Sequence, residues 1–179
     1  VMSDCQVGGR KRRSIRNHIF IVNAVLNAVK QKVSAPIDIQ IFDVEKCFDS
    51  LWLEQCCNDL WEAGITDDKL ASIYYGNQTN EVAINLPFAQ TNRINIPNIV
   101  MQGGPLGPLQ CSLQTDKIGK KALEKNEHIY MYRDEIPIGP LTMVDDILSI
   151  TNCGMESVMA NAFINSQIEL NRLTFNAEK

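Results

Sequence analysis

Apolar residues recur along the chain at two spacings, and these spacings predict the first elements. From residue 15 to residue 32 the apolar positions lie three and four residues apart: Ile15, Ile19, Val22, Leu26 and Val29. A helix places such positions on one face, so this segment is predicted to be an amphipathic helix with Ser14 as its N-cap. Residues 37–42 instead alternate between apolar and polar side chains, which predicts a strand that ends directly before Asp43.

The rest of the chain continues with both patterns. Further helices are predicted at about 50–63, 67–75 and 109–123, and from Met155 onward. Hairpins are predicted at 81–100 and at 141–150, the latter with Asp145 and Asp146 at its tip, and short strands near 128–133 and 136–139. Residues 102–108 are too rich in Gly and Pro for either element. This order predicts an α+β fold in which helices cover one face of an antiparallel sheet.

Composition narrows the class of protein without identifying a function. The chain has 179 residues, of which 45% are hydrophobic and 21% charged, as in an ordinary globular domain. Its apolar stretches are far shorter than the ~20 residues of a membrane span, and its start has no signal-peptide pattern. The six cysteines include no Cys-x-x-Cys pair, so we expect reduced core cysteines, no zinc site and an intracellular location, nuclear or cytoplasmic.

Charge is divided unevenly between the start of the chain and the rest. The net charge is -4, but residues 1–32 contain seven Lys and Arg against one Asp, and the remainder contains ten against twenty acidic residues. The chain as a whole does not suit purely electrostatic binding of nucleic acid. Its start carries the basic run Arg10-Lys11-Arg12-Arg13, which by itself is either a nuclear-localisation-like signal or a solvated loop.

Three carboxylates stand at the ends of predicted apolar strands. Asp43 follows one strand, and Asp145 and Asp146 lie between two others. Carboxylates brought together at such places repel one another and lose hydration, and a divalent cation relieves both costs. Mg²⁺ takes oxygen ligands and commonly combines one or two carboxylates with substrate phosphates, so the pattern suits a two-metal phosphoryl-transfer site. The alternative is that the Asp-Asp pair is simply turn chemistry.

Five segments stand out together: Gln6–Ser14, Phe42–Leu51, Gln102–Leu109, Met143–Asp146 and Leu173–Lys179. They resemble, in this order, five motifs of reverse transcriptases, especially those of non-LTR (LINE-like) retrotransposons. These are the fingers segment Gln-x-Gly-Phe-Arg-x-x-Arg-Ser, the first catalytic motif, the Gln-Gly-x-Pro-x-Ser-Pro motif, the aromatic-x-Asp-Asp box and a motif that ends in lysine. The sequence departs from the usual residues at four places: Gly9 for Phe, Cys47 for Ala, Gly107 for Ser and Met143 for the aromatic residue.

The resemblance implies a catalytic group that uses metal ions. Asp43 and Asp145 would hold two Mg²⁺ ions, which Mn²⁺ could replace, and Asp146 would be a further ligand beside them. Lys179 would protonate the pyrophosphate leaving group.

The resemblance also implies residues that bind the incoming nucleotide. Arg10 and Arg13 would hold the triphosphate, for which the forked guanidinium group is well suited. Gln102 would contact the nucleotide, and Gly103 would let the backbone approach the template or base. Phe48 would lie beneath the sugar and exclude a 2′-hydroxyl by its bulk, although a core phenylalanine is also expected there.

The implied architecture is a polymerase palm with partial fingers. Residues 1–36 would be the partial fingers segment and residues 37–179 the palm, with a finger-side insertion at about 64–100 and no thumb. The implied activity is RNA-directed DNA polymerisation, with an RNA template, a DNA or RNA primer and dNTPs as partners, within a longer polyprotein or reading frame. Two alternatives stay open. The first is an RNA-dependent RNA polymerase palm, and the bulk of Phe48 is evidence against it. The second is a catalytically silent scaffold that binds nucleic acid, and the three aspartates are evidence against that.

Overall fold

A computed structural model describes residues 2–31, 35–78, 80–96, 104, 106–125, 129–171 and 173–175. The helices are α1 (Ile15–Lys30), α2 (Cys47–Ser50), α3 (Leu53–Glu62), α4 (Asp67–Gln78), α5 (Gly107–Lys125) and α6 (Met155–Leu170). The strands are β1 (Ile37–Phe42), β2 (Val44–Glu45), β3 (Asn80–Val82), β4 (Asn85–Leu86), β5 (Ala89–Gln90), β6 (Ile94–Ile96), β7 (Tyr130–Tyr132), β8 (Ile136–Ile138), β9 (Leu141–Met143), β10 (Asp146–Asn152) and β11 (Thr174–Phe175).

Helix α1 begins where the sequence predicts it. The Ser14 hydroxyl accepts a hydrogen bond from the Arg16 N–H, and the Asn17 side chain accepts one from the Ser14 N–H at 2.9 Å. These two bonds form a capping box, which satisfies amide groups that the first turn of a helix leaves without partners. The buried face of α1 differs from the predicted apolar face: His18, Val25 and Ala28 are buried, whereas Ile15 and Ile19 are exposed.

The central sheet has the strand order β1-β10-β9, and both pairs are antiparallel. β1 and β10 pair from Ile37 with Asn152 to Phe42 with Ile147. The hairpin of β9 and β10 confirms the prediction for residues 141–150, but its tip lies one residue earlier than predicted. Because Met143 pairs with Asp146, the tip consists of Val144 and Asp145.

The first residues of the chain lie along the free edge of β9. The Thr142 N–H donates to the Cys5 carbonyl at 2.8 Å, and the Val7 N–H donates to the Thr142 carbonyl at 3.1 Å. These bonds place Gln6 beside Thr142 in a parallel bridge. Just upstream, the backbone N–H of Ser3 donates to the buried carboxylate of Asp116 on α5 at 2.9 Å. The segment from Ser3 to Val7 is therefore fixed to both the sheet and α5.

Two core clusters lie on opposite faces of the central sheet. The larger cluster joins β1 and β10 to α5 and α6, and it consists of Phe42, Val44, Cys47, Leu51, Cys56, Cys111, Ile118, Ile147, Ile164, Ile168 and Leu173. Strand side chains alternate between faces, so Ile150 points to the other side, where it packs with Val25 of α1 and Tyr130 of β7. The predicted α+β architecture is thus confirmed, and α1 covers part of the second face.

Cys47 and Cys111 correct the prediction that the cysteines are reduced. They form a disulfide between α2 and α5, with their Cα atoms 6.8 Å apart. This separation lies within the range that a disulfide spans. The two residues are 64 positions apart in the sequence, so their pairing depends on the tertiary fold and could not be deduced from cysteine spacing. Three other cysteines are buried free thiols, as predicted: Cys5, Cys56 and Cys57.

Helices α3 and α5 are joined through a buried carboxylate. Asp59 has a relative exposure of 2% and forms an ion pair with Lys117. The side chain of Gln114 also donates to this carboxylate, as does that of Gln55, at 3.0 Å. Burial raises the pKa of Asp59, and the hydrogen bond and charge of Lys117 act against this rise.

Three predicted helices have different bounds in the structure. The helix predicted at 50–63 corresponds to α3 and begins only at Leu53, because Leu51 and Trp52 have extended backbone angles; the short helix α2, which ends at Ser50, was not predicted. Helix α4 continues past Gly76 to Gln78, and α5 begins two residues before its predicted start. The hairpin predicted at 81–100 is confirmed as far as residue 96 by the pairing of β3 with β6 and of β4 with β5, and residues 97–100 lie outside the described residues. No helix within the described ranges combines the length and hydropathy that a membrane span requires.

Candidate active site

The fold brings the predicted aspartates to one end of two neighbouring strands. Phe42 at the end of β1 pairs with Ile147, so one further step in this register places Asp43 opposite Asp146. Asp145 lies between Met143 and Asp146, in the tip of the hairpin. Sequence positions about 100 residues apart thus meet at the same sheet end.

Alternation along the strands sets the direction of these side chains. Phe42 and Val44, on either side of Asp43, are both buried in the larger core cluster. Asp43 therefore points to the opposite face, which is the face that α1 partly covers. Asp146 precedes Ile147, which belongs to the same core cluster, so Asp146 points to that second face as well. The two strand-end carboxylates share one face of the sheet.

Val144, directly before Asp145, has an uncommon backbone conformation. Its φ angle is +59°, in the left-handed region. A β-branched residue rarely occupies this region, because its side chain crowds the backbone, and other contacts must hold it there.

Two side chains, those of Gln6 and Thr115, form hydrogen bonds with the peptide groups of Val144. The Gln6 Oε1 atom accepts from the Val144 N–H at 3.1 Å, and the Gln6 Nε2 atom lies 3.4 Å from the Val144 carbonyl oxygen as a donor. The Thr115 hydroxyl donates to the same carbonyl at 2.5 Å. Gly8 lies against the Val144 N–H group, since a Cβ atom at position 8 would lie 2.6 Å from the Val144 nitrogen.

This role of Gln6 and Thr115 does not follow from the sequence patterns alone. In the sequence, Gln6 is only part of a motif and Thr115 only part of a predicted helix. A signal was nevertheless present, because Gln6 lies between Cys5 and Val7, and a polar residue flanked by apolar ones in an extended segment needs buried partners.

Arg10 and Arg13 lie in the turn before α1 and contact the N-terminal segment. The Arg10 guanidinium donates to the carbonyl of Ser3 and to that of Gln6, the latter at 2.9 Å. Arg13 forms an ion pair with Asp4 at 2.6 Å, on the protein surface. Gly9, in the same turn, has a φ angle of +63°, which suits glycine better than the phenylalanine usual in the resembling motif.

The remaining predicted site residues differ in how the structure places them. Phe48 lies on α2 and packs, partly buried, against the larger core cluster, which agrees with a core position and leaves its nucleotide-binding role a prediction. Gln102, Gly103 and Lys179 lie outside the described residues. Met143 lines an apolar cleft of about 420 Å³ between α1 and the second face of the sheet, together with Asp146. A bulky apolar side chain thus stands where the motif usually has an aromatic one.

The donor set at this end of the sheet fits a hard divalent cation. Carboxylate oxygens are the ligands that Mg²⁺ prefers, and protein Mg²⁺ sites commonly use one or two of them together with substrate phosphates. Asp43, Asp145 and Asp146 supply such oxygens. Within the described ranges, no three His, Cys, Asp or Glu side chains are grouped closely enough to hold an ion by themselves.

Comparison with known proteins gives both a family and structural neighbours. A family model described as reverse transcriptase (RNA-dependent DNA polymerase) matches residues 1–179. No curated protein sequence matches the chain.

The structural neighbours include telomerases of two Candida species. The telomerase of Candida Tropicalis in complex with the TWJ fragment of telomeric RNA has a TM-score of 0.67 at 14% identity, over 98% of this chain and 29% of that chain. An apo telomerase of the same organism, truncated from its C-terminal domain, has a TM-score of 0.66 at 15% identity, over 98% and 35%. The telomerase of Candida albicans with the same kind of RNA fragment has a TM-score of 0.58 at 13% identity, over 98% and 31%. At these identities the likeness shows a shared fold, and the chain spans about a third of the length of these proteins.

Proposed function

Because the chain belongs to the reverse transcriptase family, we propose that it is the catalytic core of an RNA-directed DNA polymerase of the non-LTR (LINE-like) retrotransposon type. The observation that carries this proposal is the placement of Asp43, Asp145 and Asp146 at the same end of the neighbouring strands β1 and β10. Residues 1–36 serve as partial fingers and residues 37–179 as the palm. The protein acts inside the cell, in the nucleus or cytoplasm, as part of a longer polyprotein or reading frame.

The proposed reaction is nucleotide addition to a primer. Asp43 and Asp145, with Asp146 beside them, would hold two Mg²⁺ or Mn²⁺ ions. Such ions would supply stabilisation of the negative charge that develops when the primer 3′-hydroxyl attacks the α-phosphate of a dNTP and pyrophosphate leaves. Lys179 donates a proton to the pyrophosphate.

The proposed substrate contacts come from the start of the chain and from the Gly-rich turn. Arg10 and Arg13 bind the triphosphate, and Gln102 and Gly103 contact the nucleotide and template. Arg13 exchanges its surface ion pair with Asp4 for the phosphates, which costs little because such exposed pairs contribute at most about 1 kcal/mol. An RNA template is also supported by the structural neighbours, two of which are telomerases bound to a fragment of telomeric RNA.

Primer extension tests the proposed function directly. The chain is incubated with an RNA template annealed to a DNA primer, the four dNTPs and Mg²⁺, and product length is measured on a denaturing gel. We expect extension that depends on the template and stops when EDTA removes the metal. Absence of template-dependent extension with both Mg²⁺ and Mn²⁺ would contradict the proposal.

The Phe48→Val variant tests the choice of sugar and separates this function from RNA synthesis. A smaller side chain leaves room for a 2′-hydroxyl, so the preference for dNTPs over rNTPs should fall by about 10- to 100-fold. The measurement is kcat/KM for single-nucleotide addition of each substrate.

Phe163→Val on α6 is the matched control, because Phe163 is also partly buried against the larger core cluster. An equal loss of preference in both variants would remove Phe48 from the nucleotide site, and an rNTP preference in the unmutated chain would favour an RNA polymerase.

A further inference from the structure

We propose that Gln6 is a positioning residue for the catalytic hairpin: by holding Val144 in its left-handed conformation, Gln6 sets the direction of the Asp145 carboxylate. This inference rests on the proposed function, in which Asp145 holds metal. It concerns how the site is built, and it assigns a task to the first residue of the fingers-like motif, 138 positions before the residue it holds.

The chemistry of the Gln6 side chain matches the backbone that it contacts. An amide side chain carries both an acceptor and a donor, as a peptide unit does. Gln6 directs its acceptor to the Val144 N–H and its donor toward the Val144 carbonyl, so one side chain contacts both peptide groups of a single residue. The exposure of Gln6 is 0%, so water does not compete for these bonds. The residue held in this way is the immediate neighbour of Asp145.

The contacts of the Gln6 side chain with Val144 form a clamp, and Thr115 links this clamp to α5. Its hydroxyl accepts from Gln6 Nε2 at 2.9 Å and donates to the Val144 carbonyl at 2.5 Å. The carbonyl of Val144 therefore faces donors from two elements, the N-terminal segment and α5. A hairpin tip held from two sides keeps one conformation, whereas an unsupported β-branched residue would leave the left-handed region.

Gly8 allows the N-terminal segment to approach closely enough for this arrangement. A Cβ atom at this position would lie 2.6 Å from the Val144 nitrogen and 2.9 Å from Gln6 Oε1. Both distances are shorter than real Cβ contacts allow. The Gly8 N–H in turn donates to Gln6 Oε1 at 2.7 Å, which orients the acceptor toward Val144. The Gln-x-Gly spacing thus has a physical reason at this hairpin.

The backbone at Gln6 and at both of its neighbours is itself fixed by hydrogen bonds. Its neighbours Cys5 and Val7 bond to Thr142 of β9, and its carbonyl accepts from Arg10 at 2.9 Å. The side chain therefore projects from a fixed backbone at a fixed register. Preorganisation of this kind distinguishes a positioning residue from a buried glutamine that only fills space.

The test compares Gln6→Met with Gln40→Met. Methionine keeps a similar length and removes the amide, and Gln40 is a matched control because its amide bonds Ser157 on α6, away from the tip. The first readout uses the metal-free protein: hydrogen exchange at the Val144 amide, followed by NMR, should accelerate by about 10-fold or more in Gln6→Met only. Thermal unfolding of each variant shows that the comparison is made on folded protein.

The second readout concerns the carboxylates that the clamp positions. Loss of a partner that orients a metal ligand costs about 10- to 100-fold in metal affinity or activity. We therefore expect Gln6→Met to weaken Mn²⁺ binding, measured by electron paramagnetic resonance, by that factor, and to lower kcat for primer extension while KM for dNTP stays unchanged. Thr115→Val, which removes a hydroxyl at constant size, should shift both quantities in the same direction by less.

The outcomes separate this inference from the proposed function. If the unmutated chain extends primers and Gln6→Met matches Gln40→Met in exchange, Mn²⁺ binding and kcat, the positioning inference is wrong and the function stands. If Gln6→Met accelerates exchange and weakens Mn²⁺ binding while the unmutated chain extends no primer, the positioning inference stands and the function is wrong. If Gln6→Met fails to fold, Thr115→Val decides, and unaltered exchange and Mn²⁺ binding in that variant would overturn the inference.

Discussion

Asp145→Asn is expected to lower primer extension by about 10³-fold while the protein stays folded. The substitution keeps the size of the side chain and removes its charge, which would take away one of the proposed metal ligands. Charge stabilisation by a catalytic metal amounts to several kcal/mol in the transition state, and each 1.36 kcal/mol corresponds to a factor of ten in rate. Asp145 lies in the hairpin tip, between Val144 and Asp146, and is only half-buried, so we expect little loss of folding stability from the change.

The measurement is single-turnover dNTP addition at saturating Mg²⁺. Asp134→Asn is the matched control, because Asp134 also lies in a hairpin turn, between β7 and β8, and asparagine tolerates its left-handed conformation. We expect this control to retain the full rate. Equal rates for the two variants would exclude Asp145 from the metal site.

Asp59→Ala is expected to reduce the free energy of unfolding by about 3 kcal/mol, because it removes the buried partner of Lys117 and leaves this lysine with only the more exposed Glu62, 3.7 Å from its Nζ atom. Lys117 has 22% side-chain exposure, which places this effect near the lower end of the range for buried pairs. Gln114 loses the acceptor of its hydrogen bond at the same time. The loss is measured by urea unfolding under non-oxidising and non-reducing conditions, which keep the Cys47–Cys111 disulfide intact.

Two further variants test the cause of this loss. Glu124→Ala removes an exposed acidic residue from α5 and should change stability by less than about 0.5 kcal/mol. The double variant Asp59→Leu with Lys117→Met replaces both charges by apolar groups and should recover most of the stability, because no charge is left without its partner. A double variant that is as unstable as Asp59→Ala would show that the cavity or the helix contacts, rather than the charges, determine the effect.

Local patterns in the sequence predicted those parts of the fold that local interactions determine. Helix α1 and strand β1 follow from the spacing of their apolar residues, and Ser14 caps α1 as predicted. The interruption at Leu51 and Trp52, between α2 and α3, was not predicted, because Leu51 is buried in the larger core cluster and only the tertiary fold determines this contact. A helical period alone does not show where tertiary packing divides a helix.

The placement of the three aspartates at strand ends was predictable to the same extent. Asp43, Asp145 and Asp146 end or begin strands, and the antiparallel pairing of β1 with β10 brings strand ends together as the pattern suggests. Neither the contact of Gln6 with Val144 nor the Cys47–Cys111 bond could be predicted in this way, since each joins residues that only the complete fold makes neighbours.

The distance along the chain between Gln6 and Val144 has a consequence for how the site assembles during folding. A hairpin such as β9–β10 closes locally within about 1–10 μs. The clamp instead closes a loop of more than a hundred residues, whose entropic cost only the nearly complete fold repays. We therefore expect Val144 to reach its left-handed conformation in a late step, so that catalytic competence appears after most secondary structure has formed.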